Sequence, residues 1–148
     1  MSEDDDGWGD YNALIRVFIF AGDTYSIEVS FYSGSEGRNC TLNVIPPVEI
    51  PGGGGDVHMD HASGFLFTPS QSGSWEFRTS NNGSFDPRLA IYEVNSDDSI
   101  DMLANDDDSG DGVNAMARVE LVAGHTYHIL VQFHDVGYGT CTLSVNKR

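Results

Sequence analysis

Basic residues are scarce in this sequence: 7 lysines and arginines stand against 23 aspartates and glutamates, giving a formal net charge of −16. Such a charge argues against binding a phosphate backbone or an anionic membrane surface, so no nucleic-acid partner is expected. No apolar run approaches the ~20 residues that a membrane helix needs, so no membrane insertion is expected either. Cations and basic surfaces are the partners that this charge favours, although acidity can also serve solubility alone.

Cysteine is nearly absent, since the chain has only Cys40 and Cys141. Two cysteines do not make a disulfide framework. The two occupy equivalent positions of an internal repeat, and equivalent residues of tandem modules normally lie a module apart. We therefore expect two buried thiols in preference to a disulfide, although pairing stays open if the two copies lie side by side.

Signatures of catalysis are also missing. The sequence has no Gly-x-Ser-x-Gly elbow and no phosphate-binding loop, and neither cysteine has a histidine nearby in the chain. These motifs place a nucleophile, its base or a phosphate in a fixed geometry, so their absence speaks against the common hydrolase and nucleotide-binding classes. We expect a protein that is not an enzyme.

Short bursts of aromatic and aliphatic residues, separated by Gly, Ser, Asn and Asp, replace helical periodicity along the chain, which is an all-β composition. The sequence also repeats itself. With residue 4 laid on residue 106, fifteen of the 34 positions 4–37 are identical, and after one dropped residue so are four of the five positions 40–44. The predicted divisions are a partial repeat of three strands (1–45), a Pro/Gly-rich linker (46–56) and a complete module (57–148).

The partial copy has three segments with a strand pattern. Residues 14–20 form an apolar run, residues 25–32 alternate apolar with polar, and residues 40–45 form a short third segment. A three-stranded sheet alone is marginal in water, so we expect this half-module to find cover elsewhere.

The outer side of the partial copy is more apolar than its counterpart. Phe18 stands where the complete module has Glu120. Because burying a phenylalanine contributes roughly 1.5–3 kcal/mol, we expect Phe18, Phe20 and Tyr32 to mediate self-association.

The complete module contains seven strand patterns, the last three of which repeat those of the partial copy. Strands at this spacing suit a β-sandwich. The predicted fold is therefore all-β, a jelly-roll-like β-sandwich with an additional N-terminal three-stranded half-module.

An acidic loop precedes the last three strands. Asp106, Asp108, Asp111 and Asn114 supply carboxylates and an amide around two glycines, and a hard dication such as Ca²⁺ prefers such oxygen ligands. The spacing is not that of an EF-hand, and the alternative is a solvated acidic turn. A second, poorer site in the partial copy would use Asp4, Asp6 and Asp10.

Asn39 and Asn82 fit the N-glycosylation pattern, which matters only in an exported protein.

Six motifs of the complete module occur in the order seen in bacterial pre-peptidase C-terminal domains, and the sequence resembles that family over residues 57–146, with 3–44 matching in part. The resemblance implies a non-catalytic, jelly-roll-like sandwich attached to secreted or surface proteins, hence an extracellular or cell-surface location. Some members bind calcium, and Asp86 joins the predicted metal ligands by this analogy. The motifs are Gly64–Pro69, Gly73–Phe77, Phe85–Tyr92, Asn105–Asp107, Leu121–Tyr127 and Gly139–Val145.

Three functional hypotheses follow. In the first, a structural or adhesive module self-associates through its half-repeat and builds a fibre if the contact does not close. In the second, an accessory module of a larger secreted protein binds a collagen-like matrix protein or a glycan through exposed aromatics such as Trp8, Tyr11, Tyr32 or Tyr138. In the third, the chain is part of a longer array and the partial copy packs on a neighbouring repeat.

Overall fold

The structure is a computed structural model, and the described part of the chain contains nine β-strands and no helix. No helix in that part is therefore long and apolar enough to cross a bilayer. The described residues are 15, 17, 19, 22–30, 40–97, 99–134 and 138–148. The strands are β1 (Val48–Ile50), β2 (Gly55–His61), β3 (Ser63–Phe67), β4 (Gly73–Ser80), β5 (Pro87–Val94), β6 (Ile100–Asp106), β7 (Met116–Leu121), β8 (Tyr127–Phe133) and β9 (Tyr138–Lys147).

The strands form two sheets, in the orders β1-β3-β8-β5-β6 and β2-β9-β4-β7. Strand β1 pairs with β3 in parallel, and the other ladders are antiparallel. Strand β8 thus lies between β3 and β5, strand β9 lies between β2 and β4, and β7 lies at an edge beside β4. None of the last three strands pairs with another of the three.

One shared hydrophobic core lies between the sheets. On β8 the alternation predicted from the sequence is observed, because Tyr127, Ile129, Val131 and Phe133 are all buried. Across the core the Phe67 ring meets that of Trp75 edge to face, with centroids 4.9 Å apart. The predicted all-β sandwich is confirmed.

Strands β1 and β2 were not predicted from the sequence; β1 lies within the segment expected to be a linker, 46–56, and β2 begins in it at Gly55. Prolines flank β1, which confines it to a sheet edge, and few of the residues of β2 are apolar. Gly54 connects the two strands with φ +83°, and a Cβ at that position would lie 2.2 Å from the carbonyl oxygen of Val145. The segment is therefore packed against β9, and the sandwich begins at Val48.

The described residues of the partial copy lie in no strand, so the strands predicted over 14–20, 25–32 and 40–45 are not met there. Their apolar side chains are exposed. The topology supplies the reason. The three segments copy β7, β8 and β9, and those strands pair only with β2, β3, β4 and β5. Residues 1–45 contain no second copy of β2 to β5, so the described residues of the partial copy lack the neighbours with which β7, β8 and β9 pair.

Candidate functional site

The acidic loop between β6 and β7 is closed by its own hydrogen bonds. Asp106 Oδ2 accepts from the backbone N–H of Ser109 at 3.0 Å and from that of Met116 at 2.8 Å. The N–H of Gly110 donates to the carbonyl of Asn114 at 2.7 Å, and a Cβ at Gly110 would lie 2.4 Å from that oxygen. Burial alone would raise the pKa of Asp106, but the bonds from Ser109 and Met116 outweigh it and lower the pKa below its usual value.

The other predicted metal ligands point to different partners. Asp111 Oδ2 lies 3.4 Å from Arg78 Nη1, and its side chain is 92% exposed. The Asn114 amide donates to the Asp111 carbonyl at 2.8 Å, while Asn114 Oδ1 accepts from the Thr79 hydroxyl at 3.3 Å. Within the described ranges no three His, Cys, Asp or Glu side chains form a group that could hold a metal ion. The loop brings these residues close in the chain without directing their oxygens to one point.

Asp86, assigned to the metal site by analogy, lies between β4 and β5. Its carbonyl accepts from the N–H of His134 at 2.8 Å, and its Oδ1 is buried without a hydrogen-bond partner. A single orphaned oxygen falls far short of the six to eight ligands that calcium takes. The donor set therefore does not fit a calcium site as predicted, and Asp4, Asp6 and Asp10 lie outside the described residues.

The two glycosylation candidates differ in what the structure says of them. Asn82 is buried, and its amide donates to the carbonyl of Phe85 within the turn after β4. A glycan acceptor must be exposed, so the structure argues against modification at Asn82. Asn39 lies outside the described residues.

The cysteines are both free, but their environments are opposite. Cys141 is buried on β9, as expected, and burial raises the pKa of its thiol to about 12. Cys40 is exposed, which corrects the expectation of a buried thiol at that position.

A buried carboxylate on β4 was missed in the sequence. Glu76 is 4% exposed, and it accepts from Arg118 on β7 at 2.7 Å and from Arg148 beyond β9. Bonds from Arg148 and then Arg118 lower the pKa of Glu76 despite burial, which opposes them. Alternation with the buried Trp75 and Phe77 places Glu76 on the outer face of β4, where the guanidinium groups of Arg118 and Arg148 cover it.

The repeat segment, by which we mean the described residues from Ile15 to Ile45, is the second candidate site. It is exposed throughout, including Ile27 at 58% and Val44 at 71%. Phe18, Phe20 and Tyr32, the predicted contact residues, lie outside the described residues. Large exposed apolar areas often mark interaction sites, which makes this segment a candidate contact surface.

Comparison with known proteins supports the fold. No protein-family model matches the sequence, and no curated protein matches it. Among solved structures, the chain is similar to the pre-peptidase C-terminal domain of collagenase from Bacillus anthracis, solved at 1.0 Å. The TM-score is 0.54 at 18% identity, and the match covers 70% of this chain and 100% of the other. The described sandwich therefore has a pre-peptidase C-terminal-like fold.

Proposed function

We propose that this chain is a non-catalytic extracellular structural or adhesive module that self-associates through its repeat segment. The sandwich has the fold of a pre-peptidase C-terminal domain, which the sequence resemblance describes as a non-catalytic part of secreted or surface proteins. The collagenase that carries the similar domain supports an accessory role. Binding, not chemistry, is the activity that the arrangement favours.

The observation that carries the proposal is the exposure of the repeat segment. Its apolar side chains alternate along the backbone, and its described residues lie in no strand. Exposed apolar side chains that alternate along a segment favour its addition as a strand to the sheet of another chain. If that contact joins different surfaces of two copies, it does not close, and a fibre grows.

The net charge opposes association between copies. With −16 on each chain, two copies repel one another at low ionic strength. Salt shortens the Debye length to about 8 Å at 0.15 M and screens this repulsion. Association through apolar strands should therefore increase with salt, whereas an association that depends on opposite charges should weaken.

Static light scattering at low and high salt tests the proposal with a matched pair of variants. Val29→Asp adds a charge on the apolar side of the alternation, and Ser30→Asp adds the same charge one residue later. We expect a mass above that of the monomer for the full chain and for Ser30→Asp, and a monomer for Val29→Asp and for residues 46–148. A monomeric full chain at both salt concentrations would contradict the proposal.

A second candidate, binding of a collagen-like protein or glycan, is favoured by Tyr138. Its side chain is 51% exposed, and its ring packs edge to face on Phe85 with centroids 6.0 Å apart. A supported, exposed ring is a common contact for peptides and sugars. Titration with a collagen-like peptide or an oligosaccharide should give a saturable change that Tyr138→Ala removes and Tyr138→Phe keeps. A response without saturation would count against it. Trp8, Tyr11 and Tyr32 lie outside the described residues.

A further inference from the structure

Equivalent residues of the two copies have opposite exposure. Nine described apolar or cysteine positions of the repeat segment align with nine inward positions of β7, β8 and β9. Every member from the sandwich is buried, and every member from the repeat segment is exposed. The pairs are Ile15 with Ala117, Val17 with Val119, Ile19 with Leu121, Tyr25 with Tyr127, Ile27 with Ile129, Val29 with Val131, Cys40 with Cys141, Leu42 with Leu143 and Val44 with Val145.

The sandwich shows what these positions require. Strand β8 has a ladder on both sides, with β3 and with β5, and β9 has one on both sides, with β2 and with β4. Strand β7 pairs with β4. The complement of the three strands is therefore the set β2 to β5, and no pairing among β7, β8 and β9 replaces it.

The chain's own sandwich does not provide that complement. The positions beside β3, β5, β2 and β4 are filled by residues 116–147 of the same chain. These residues are joined to the sheets they complete, which gives them an effective concentration that a competing segment must overcome. An intact second copy has its positions filled in the same way.

We propose that the repeat segment supplies the β7, β8 and β9 strands of a second sandwich, and that its partner is a polypeptide equivalent to residues 48–105 without a last part of its own. The inference goes beyond the proposed function: the contact surface is the same segment, but the partner is an incomplete sandwich and not an intact second copy, and the register is now specified. Each repeat residue takes the place of its counterpart: Ile27 that of Ile129 between β3 and β5, and Leu42 that of Leu143 between β2 and β4.

The test restores the repeat period. Residues 46–105 are placed directly before residue 4 of the full chain, because residue 4 aligns with residue 106. The rate of Cys40 modification by a thiol reagent is then compared with that in the full chain alone. We expect the fusion to slow Cys40 modification by about a hundredfold or more, because a buried thiol reacts only through local opening. Cys141, in the same molecule, reports that the original sandwich is folded.

A matched control carries Trp75→Asp and Phe77→Asp in the added copy alone, and its Cys40 should react at the rate seen in the full chain. Fast Cys40 modification in the unmodified fusion, with Cys141 protected, would overturn the inference.

Mixing a separate 46–105 polypeptide with the full chain distinguishes the source of the partner. Protection on mixing assigns the partner to another polypeptide, and protection only in the fusion assigns it to the same one. A monomeric full chain with Cys40 protected in the fusion would contradict self-association and leave this inference standing.

Discussion

Truncating Ile129 to alanine should destabilise the protein strongly, whereas truncating Ile27, its counterpart in the repeat segment, should not. Ile129 is fully buried on β8 and is paired with Phe65 on β3 and Ile91 on β5, which are themselves buried. The substitution removes three buried carbon atoms. At roughly 0.8 kcal/mol of burial free energy for each, the lost stability is about 2.4 kcal/mol without the contribution of a cavity. The residual cavity adds to this, so the expected loss lies between about 2.4 and 5 kcal/mol.

Ile27 has the same side chain at the equivalent repeat position, but it is 58% exposed. Surface truncations usually change the free energy of unfolding by no more than about 0.5 kcal/mol. Urea unfolding followed by far-ultraviolet circular dichroism and by tryptophan fluorescence, to which the buried Trp75 contributes, measures both variants. Equal losses for Ile27→Ala and Ile129→Ala would refute the assignment of the repeat segment as uncovered. A neutral Ile129→Ala would refute the position of β8 in the core.

Four further predictions concern the sandwich. Glu76→Gln should lower stability at pH 7 by about 1.5–3 kcal/mol. Because the folded pKa of Glu76 lies below its ordinary 4.5, its contribution is present above pH 4.5 and is lost as the pH falls through the folded value, so the variant should show a smaller loss on acid titration. Asp106→Ala should cost about 1–3 kcal/mol by leaving two backbone N–H groups without an acceptor, and Asp108→Ala, at an exposed position, should cost little in the same denaturant series. Gly54→Ala should cost more than about 1 kcal/mol, because its φ is +83° and its Cβ meets backbone, whereas Gly53→Ala meets nothing within 4 Å and should be near neutral in thermal unfolding. Calcium at 100 times its dissociation constant would stabilise a calcium-binding protein by about 2.7 kcal/mol. Because the acidic loop is closed by its own hydrogen bonds, we expect no such gain for this protein. Comparing the thermal unfolding temperature in calcium with that in EDTA tests this.

The fold was predictable where strands alternate and are long. Strands β3, β4, β5, β7, β8 and β9 carry inward residues such as Phe65, Trp75 and Ile129 in a period of two, which is a local signal. Strands β1 and β2 carry no such signal. Strand β1 has only three residues between prolines, and β2 is mostly polar, so the strand conformation of both depends on the neighbours with which they pair. Tertiary contacts therefore determine the conformation of β1 and β2.

The candidate sites were less predictable because their geometry is not local. Asp106 and Asp111 lie five residues apart, yet one accepts from backbone across the loop and the other faces Arg78 on a different strand. The pairing of Glu76 with Arg118 depends on the register between β4 and β7, which alternation alone does not give. Spacing in the chain identifies which oxygens are close, but not where they point.

Whether a copied segment folds depends on its place in the topology more than on its hydrophobicity. A duplicated hairpin would bring its own ladder, because its two strands pair with each other. The segment repeated in this chain copies three strands that are consecutive in sequence but never paired with one another, and two of them have a ladder on both sides. Such a copy keeps the inward alternation of a core strand, as Tyr25, Ile27 and Val29 do, while the strands that pair with β7, β8 and β9 lie in residues 55–94, which this sequence contains once. We therefore expect such a sequence to specify a partner as closely as it specifies a structure, and the partner inferred for this one is a separate segment equivalent to residues 48–105.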